Sequence, residues 1–119
     1  MNRRLCAVLM LFPGMAFAQQ DKMPTMKDQV AMAKKVVVEN FLDPDGAKFR
    51  GLTGFGAKNG KNAALVALCG EVNGKNSYGA YIGFKRFYII GFSYYKIESS
   101  DTPIAYDVTC KGDVVYEAK

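Results

Sequence analysis

The side chains best suited to binding or chemistry are concentrated in one short segment of the chain. Residues 73–81 contain two amides, an ammonium group, a hydroxyl and two phenols, and a second ammonium group and a guanidinium follow at 85 and 86. Such groups contact sugars, peptides or bases through hydrogen bonds and aromatic faces. The candidate binding residues are Asn73, Lys75, Asn76, Ser77, Tyr78, Tyr81, Lys85 and Arg86.

The same composition is also what a tight turn requires. Asn73-Gly74 and Asn76-Ser77 are typical turn pairs, because their side chains bond their own backbone and tolerate left-handed geometry. Turn architecture is the more common explanation, with ligand contact as the alternative. Five tyrosines could likewise form an aromatic platform, although cross-strand packing is the commoner use of aromatic strand residues. They are Tyr78, Tyr81, Tyr88, Tyr94 and Tyr95.

Catalysis has few candidate residues in this sequence. The chain has no histidine, which removes Ser-His-Asp and Cys-His systems, histidine bases and histidine-containing zinc sites. Its carboxylates are spread apart, and residues 43–46 (DPDG) lack the spacing of a calcium loop. We therefore expect no enzyme activity, no cofactor and no metal. The alternative is a small cell-wall-directed hydrolase or an inhibitor of one, which a cleft holding Glu71 beside another acid would favour.

Residues 1–18 have the pattern of a secretory signal peptide. A positive start at residues 2–4 precedes eight apolar residues and the small-x-small sequence Ala16-Phe17-Ala18. The apolar run is too short to span a bilayer, so we expect cleavage after Ala18 and no transmembrane segment in the mature chain. The short positive start and the compact cleavage region are typical of bacterial signal peptides. The predicted location is the periplasm or the outside of the cell.

The charge that remains after this cleavage is small. Of 16 Lys+Arg, two lie in the predicted signal, which leaves 14 against 11 Asp+Glu and a net charge of +3. The positive residues are scattered, and residues 84–87 (FKRF) alternate as any half-buried strand does. We therefore expect no nucleic-acid partner.

Two cysteines remain in the predicted mature chain, Cys69 and Cys110. In an oxidising compartment a lone pair normally forms a disulfide, and the chain has no Cys-x-x-Cys spacing that would indicate redox or metal chemistry. The 41-residue separation corresponds to roughly 4 kcal/mol of stabilisation on the chain-entropy model.

The elements that position these residues are one helix followed by strands. Thr25 and Asp28 fit a capping box, and the turn at residues 43–46 ends the helix. Its apolar stripe comprises Met26, Val30, Ala33, Val37 and Phe41. Strands are predicted at residues 47–55, 63–72, 78–92, 104–110 and 114–117, with 94–97 either continuing the third or forming another.

This order of elements predicts an α+β fold with an N-terminal amphipathic helix packed on a curled antiparallel β-sheet, closed by one disulfide. Residues 19–119 form a single domain. The strand at 63–72 is near-continuously apolar, so we expect it at the centre of the sheet. The helix stripe is expected to pack against Leu65, Leu68, Ile82, Phe84 and Val108.

Two segments resemble a group of small secreted or lipid-anchored bacterial and phage proteins. Residues 40–50 (NFLDPDGAKFR) are similar to an "L-x-D/S-P-x-S-A-K-F" junction after a helix, and residues 69–84 (CGEVNGKNSYGAYIGF) to a "C-G-x-V-N-A-K-N-S-F-G-G-Y-x-G-F" stretch. Gly46 and Gly74 replace the usual Ser and Ala. The resemblance implies that this chain shares the compartment and the fold of those proteins, and it assigns no activity to this chain.

The sequence therefore predicts a non-enzymatic, exported binding or accessory domain of the bacterial envelope. Its expected partner is a protein of the envelope. The expected contact surface is the segment from Asn73 to Tyr81 together with Lys85 and Arg86.

Overall fold

A computed structural model describes residue 14, residues 22–60 and residues 62–118 of the protein. The predicted signal peptide and its cleavage site after Ala18 lie outside the described residues, apart from Gly14. Among the residues so described, no helix is both long enough and apolar enough to cross a membrane.

The first element is helix α1, Met26–Val38, and its start confirms the predicted capping box. The backbone N–H of Asp28 donates to the Thr25 hydroxyl at 3.2 Å, and the backbone N–H of Thr25 donates to the Asp28 carboxylate at 3.2 Å. The helix ends at Val38, before the predicted stop at residues 43–46. Three consecutive valines precede this end, and β-branched residues are weak helix formers, so little favours another turn.

The described residues contain five antiparallel strands, which form one sheet. The strands are β1 Lys48–Asn59, β2 Asn62–Asn73, β3 Lys85–Ile90, β4 Tyr94–Ile97 and β5 Val114–Glu117. Their order in the sheet is β4-β3-β2-β1-β5, with β2 at the centre as predicted. A short helix, α2, lies at Tyr106–Thr109.

The core lies between α1 and one face of the sheet. Phe49 and Phe87 add an edge-to-face contact there, with ring centroids 5.6 Å apart. Ile82 and Val108, expected in this core, are instead 54% and 69% exposed. The buried cluster comprises Val30, Ala33, Val37, Val38, Leu52, Leu65, Leu68, Val72, Phe87 and Ile89.

A buried glutamine joins α1 to β2. The backbone N–H of Leu65 donates to Gln29 Oε1 at 2.8 Å, and Gln29 Nε2 donates to the carbonyl of Ala63 at 3.0 Å. Gln29 is only 6% exposed. Because a buried polar group needs its hydrogen bonds, this residue sets the position of the helix along the strand.

Three predicted boundaries were wrong. Residues 56–59 and Asn62, predicted as loop, belong to β1 and β2, which continue until Asn59 pairs with Asn62. Residues 78–84 belong to no named strand: Tyr81 forms only an isolated bridge with Lys75, and Gly79 and Gly83 adopt φ of 79° and 105° within the loop. Residues 104–110 contain α2 and no named strand.

The disulfide between Cys69 and Cys110 is formed as predicted, with the two Cα atoms 6.1 Å apart. Cys69 neighbours the core residue Leu68 along β2, so its side chain points to the face of the sheet opposite α1. Cys110 follows α2 directly. The bridge therefore attaches the end of α2, and not a strand, to the central strand.

Candidate functional site

Residues 73–83, called here the 73–83 loop, connect β2 to β3 and are ordered by their own hydrogen bonds. The Asn76 side-chain oxygen accepts from the backbone N–H groups of Tyr78 and Ala80 at 3.0 and 3.1 Å. The backbone N–H of Asn76 donates to the carbonyl of Ala80 at 2.8 Å. The Asn76 side chain therefore serves the turn itself, as the turn interpretation of this segment requires.

The base of the loop is closed by Asn73. Its side-chain oxygen accepts from the backbone N–H of Gly83 at 2.9 Å, and the residue is 8% exposed. The backbone N–H of Ile82 donates to the carbonyl of Gly74 at 3.1 Å in the same region. Asn73 is therefore a positioning residue, with little surface left for a ligand.

The loop is fastened to the turn at residues 43–46. Lys75 Nζ lies 3.4 Å from the Asp43 carboxylate, and the Tyr81 hydroxyl donates to the carbonyl of Gly46 at 2.7 Å. The ammonium groups of Lys48 and Lys75 lie 4.4 and 5.3 Å from the centroid of the Tyr81 ring, within cation–π range. Residues 40–50 and residues 69–84 thus contact each other in the fold.

The tip of the 73–83 loop projects into solvent. Ser77 is exposed, and Tyr78 is 93% exposed although the backbone on both sides of it is hydrogen-bonded. Of the predicted binding residues, Asn76, Ser77, Tyr78 and Tyr81 are exposed, whereas Asn73 is buried and Lys75, Lys85 and Arg86 are half-buried. An ordered loop that presents an aromatic ring to solvent is suited to contact a partner.

Lys85 and Arg86 begin β3, beside the foot of the loop. The Arg86 guanidinium donates to both oxygens of the Glu98 carboxylate at 2.7 and 2.8 Å, and it lies 4.9 Å from the centroid of the Tyr106 ring. This two-point contact holds the pKa of Glu98 below its usual value and raises the pKa of Arg86. Lys85 is half-buried and pairs with Val72 of β2 in the sheet register.

A polar cleft of about 650 Å³ opens beside these two residues. Two of its lining residues contact Arg50: Glu71 is ion-paired with it, and its guanidinium lies 3.9 Å from the centroid of the Phe84 ring. Glu98 and Ser99, which the sequence analysis missed, also line the cleft. The lining is Glu71, Phe84, Lys85, Arg86, Glu98, Ser99, Ser100 and Pro103.

A second cleft of about 340 Å³, mostly apolar, shares Lys85, Glu98 and Ser99 with the polar one. In the sheet register Val72 and Ile97 of this cleft face α1, whereas Glu71 and Arg86 of the polar cleft lie on the opposite face. Its walls come from the segment that follows α1, the 73–83 loop and the end of β4. No local pattern in the sequence marks these residues as neighbours. The lining is Phe41, Leu42, Val72, Gly74, Lys75, Ile82, Gly83, Lys85, Ile97, Glu98 and Ser99.

The five tyrosines do not form one platform. Tyr88 is buried by the sheet and stacks at a tilt on Tyr94 with centroids 6.4 Å apart, which is cross-strand packing. Burial raises the pKa of the Tyr88 phenol. The Tyr95 hydroxyl accepts from the Asn40 side chain at 3.0 Å, whereas Tyr78 and Tyr81 lie on the 73–83 loop.

The polar cleft brings Glu71 and Glu98 together, yet both carboxylates are occupied by arginines. A general acid working near neutral pH needs a raised pKa, and the pKa of Glu98 is lowered. Glu98 therefore does not fit that role. Within residues 22–60 and 62–118, no three side chains of the metal-binding types converge on one point.

Comparison with models of protein families, with curated proteins and with solved structures gave no match to this chain or its fold.

Proposed function

We propose that this protein is an exported, non-enzymatic binding domain of the bacterial envelope, and that its partner is a protein. The contact surface consists of the tip of the 73–83 loop with Lys75, Lys85 and Arg86. The observation that carries the proposal is the exposure of Tyr78, at 93%, on a loop held by its own hydrogen bonds.

The energetics of association favour such a loop. A tyrosine brings a large contact area and loses little side-chain entropy when it is immobilised, which is why tyrosine is frequent among the residues that dominate protein interfaces. The backbone around Tyr78 is already held by Asn76, and the base of the loop by Asn73. Binding therefore does not have to order the loop first, and more of the contact energy remains as affinity.

The charges of the polar cleft support binding over hydrolysis. Glu71 and Glu98 are each ion-paired with an arginine, and Arg86 lowers the pKa of Glu98, so Glu98 does not hold a proton near neutral pH. A hydrolase of the cell wall that works through two carboxyl groups needs one of them protonated. We therefore rank the binding domain above the alternative of a small cell-wall-directed hydrolase or an inhibitor of one.

Export is supported by the Cys69–Cys110 disulfide, since such bonds persist in oxidising compartments. Residues 1–18 supply the signal peptide in this proposal, and cleavage after Ala18 releases the protein to the periplasm or the outside. The proposal includes an N-terminal amphipathic helix and a curled sheet. Register shifts between Arg50 and Thr53 and between Phe55 and Gly56 support the curl, because β-bulges bend a strand.

Photo-crosslinking in intact cells tests the proposal. A benzophenone amino acid replaces Tyr78 in one variant and Lys58, exposed near the end of β1, in the matched control. We expect a specific protein to be captured from position 78 but not from position 58. Competition by the unmodified protein should abolish the capture, and competition by Tyr78→Ala should not.

Two outcomes contradict the proposal. Capture that is equal from both positions, or from neither, removes the loop as the contact surface. Mass spectrometry of the same purified protein must also show a chain that begins at residue 19 and carries no free thiol. A product that retains residues 1–18 contradicts the export part of the proposal.

A further inference from the structure

We propose that an extended, acidic segment of a partner polypeptide binds along the edge strand β4, with an aliphatic side chain of that segment in the apolar cleft and the side chains next to it at the polar cleft on the opposite face of the sheet. This inference deepens the proposed function and depends on it, because it names the kind of protein segment that the domain recognises. The two clefts together are called here the double groove.

The apolar cleft has the size and lining of a side-chain pocket. Its volume of about 340 Å³ lies near the lower end of the range for ligand pockets, roughly 300–1,000 Å³. Leu42 and Ile82 line it and remain 74% and 54% exposed, while Val72 and Ile97 form buried and half-buried parts of its wall. An aliphatic group inserted here would cover apolar surface that water now contacts, which favours binding.

Charge selects an acidic occupant. Arg50 is paired with Glu71, and Arg86 is paired with Glu98, so the charges of these four groups balance within the polar cleft. Lys85 lines both clefts and takes part in none of the ion pairs found among the described residues. The groove therefore carries a net positive charge where its two parts meet, and complementary potentials favour a carboxylate there.

The two-part lining favours a peptide over an acyl chain. An acyl chain would use the apolar cleft alone, whereas an extended polypeptide points successive side chains to opposite faces of the sheet and can therefore reach both clefts. Ser99 and Ser100 add hydroxyl groups to the polar part, where they can bond to side chains or to a peptide backbone.

The edge of the sheet offers a place for the backbone of that peptide. The backbone N–H of Glu98 donates to the carbonyl of Arg86 at 2.8 Å, so in the antiparallel pattern the backbone groups of the preceding residue, Ile97, point away from β3. Strand β4 lies at the end of the sheet order, and Ile97 also lines the apolar cleft. An extended segment can pair with this edge while it places a side chain in the cleft.

Selection from a library of random linear peptides displayed on phage, with the purified oxidised protein as bait, tests the inference. We expect the enriched peptides to combine at least one acidic residue with an aliphatic one. A synthetic copy of the strongest peptide should lose about tenfold or more in affinity when its aliphatic residue is changed to alanine, as expected for a buried aliphatic anchor.

Matched variants locate the site. Ile82→Glu should weaken binding of the selected peptide about tenfold or more, and Val108→Glu, an apolar-to-acid change at another exposed position, on α2, should leave the affinity unchanged. Lys85→Glu should lower the affinity for the peptide roughly threefold to tenfold. Lys58→Glu, the matched charge reversal on β1, should leave this affinity unchanged. Circular dichroism of each variant checks that it is folded.

The inference is overturned if no peptide is enriched, if the enriched peptides are basic, or if Ile82→Glu binds them as well as the parent does. It is also overturned if decanoate competes for the groove while no peptide binds, since the occupant is then an acyl chain. Crosslinking from position 78 that succeeds while the groove variants change nothing removes the double groove and leaves the proposed function intact. Failure of crosslinking from position 78 counts against the proposed function, whatever the peptide selection returns.

Discussion

Gln29 provides a direct test of how α1 is joined to the sheet. Its side chain accepts from the buried N–H of Leu65 at 2.8 Å and donates to the carbonyls of Ala63 and Pro24 at 3.0 and 3.1 Å. Gln29→Ala leaves the Leu65 N–H without a partner, and an unsatisfied buried donor costs roughly 1–3 kcal/mol. The other two groups lie in part-buried positions, where water can replace the lost bonds, so they add little.

We therefore expect Gln29→Ala to lower the free energy of unfolding by about 2 kcal/mol. For a domain of this size that corresponds to a fall in Tm of roughly 8–16 °C. Urea denaturation followed by circular dichroism gives the free energy, and a thermal scan gives Tm. Lys35→Ala, an exposed change on the same helix, is the control and should stay within about 0.5 kcal/mol of the parent.

A second substitution at the same position adds a pH signature. Gln29→Glu keeps an acceptor for the Leu65 N–H but, when ionised, sets a negative charge against the carbonyls of Ala63 and Pro24. Burial beside these oxygens should raise the pKa of the new carboxyl in the folded state. A raised folded-state pKa means that the stability of Gln29→Glu, relative to the parent, is highest below the unfolded-state value of about 4.3 and falls as the pH rises through the folded-state pKa.

The reasoning fails if Gln29→Ala costs less than about 0.5 kcal/mol, since the buried hydrogen bond would then be of little importance. It also fails if the free energy of unfolding of Gln29→Glu lies below that of the parent by the same amount at acidic and at neutral pH. In that case the cost would come from packing and not from an ionised group beside carbonyls.

Two further predictions concern the disulfide and the polar cleft. Replacing both Cys69 and Cys110 by alanine should lower the free energy of unfolding by roughly 4 kcal/mol in urea, and a loss under about 1 kcal/mol would show that the bridge closes a loop already restrained in the unfolded chain. The side-chain carboxyl of Glu98, followed by NMR, should titrate below the usual glutamate range because Arg86 binds its ionised form, and Arg86→Ala should raise that pKa toward the ordinary value. Since the folded-state pKa of Glu98 is lowered, the stabilisation from this ion pair is present above the unfolded-state pKa and is lost as the pH falls through the folded-state pKa. If Glu98 titrates in Arg86→Ala as it does in the parent, Arg86 is not the cause of the lowered pKa.

Local signals in the sequence were sufficient for several parts of the fold. The capping box places Thr25 and Asp28 three residues apart, so the start of α1 is determined within one helical turn. The apolar run of β2 predicted its central position because a strand covered on both faces has no polar side. The Cys69–Cys110 pairing followed from there being two cysteines outside the predicted signal peptide.

The wrong boundaries have a common origin in patterns that suit more than one conformation. Residues 104–110 alternate apolar and polar side chains as a strand would, yet Tyr106 packs beside Arg86 and Cys110 is bonded to Cys69. These distant contacts accompany one turn of helix at Tyr106–Thr109. In residues 78–84 the glycines permit both a bent strand and a loop, and the positive φ of Gly79 and Gly83 belongs to the loop.

The candidate site also has one part that the sequence predicted and one part that only the tertiary structure shows. The 73–83 loop could be identified from the sequence alone, because its asparagines and tyrosines are neighbours along the chain. The double groove depends on residues from the segment that follows α1, from β2, from β3 and from β4, with Phe41 and Ile97 meeting across 56 positions of sequence. A turn is specified by side chains that bond to their own backbone, whereas a cleft exists only after separate elements have packed, because its walls are the surfaces that packing leaves uncovered.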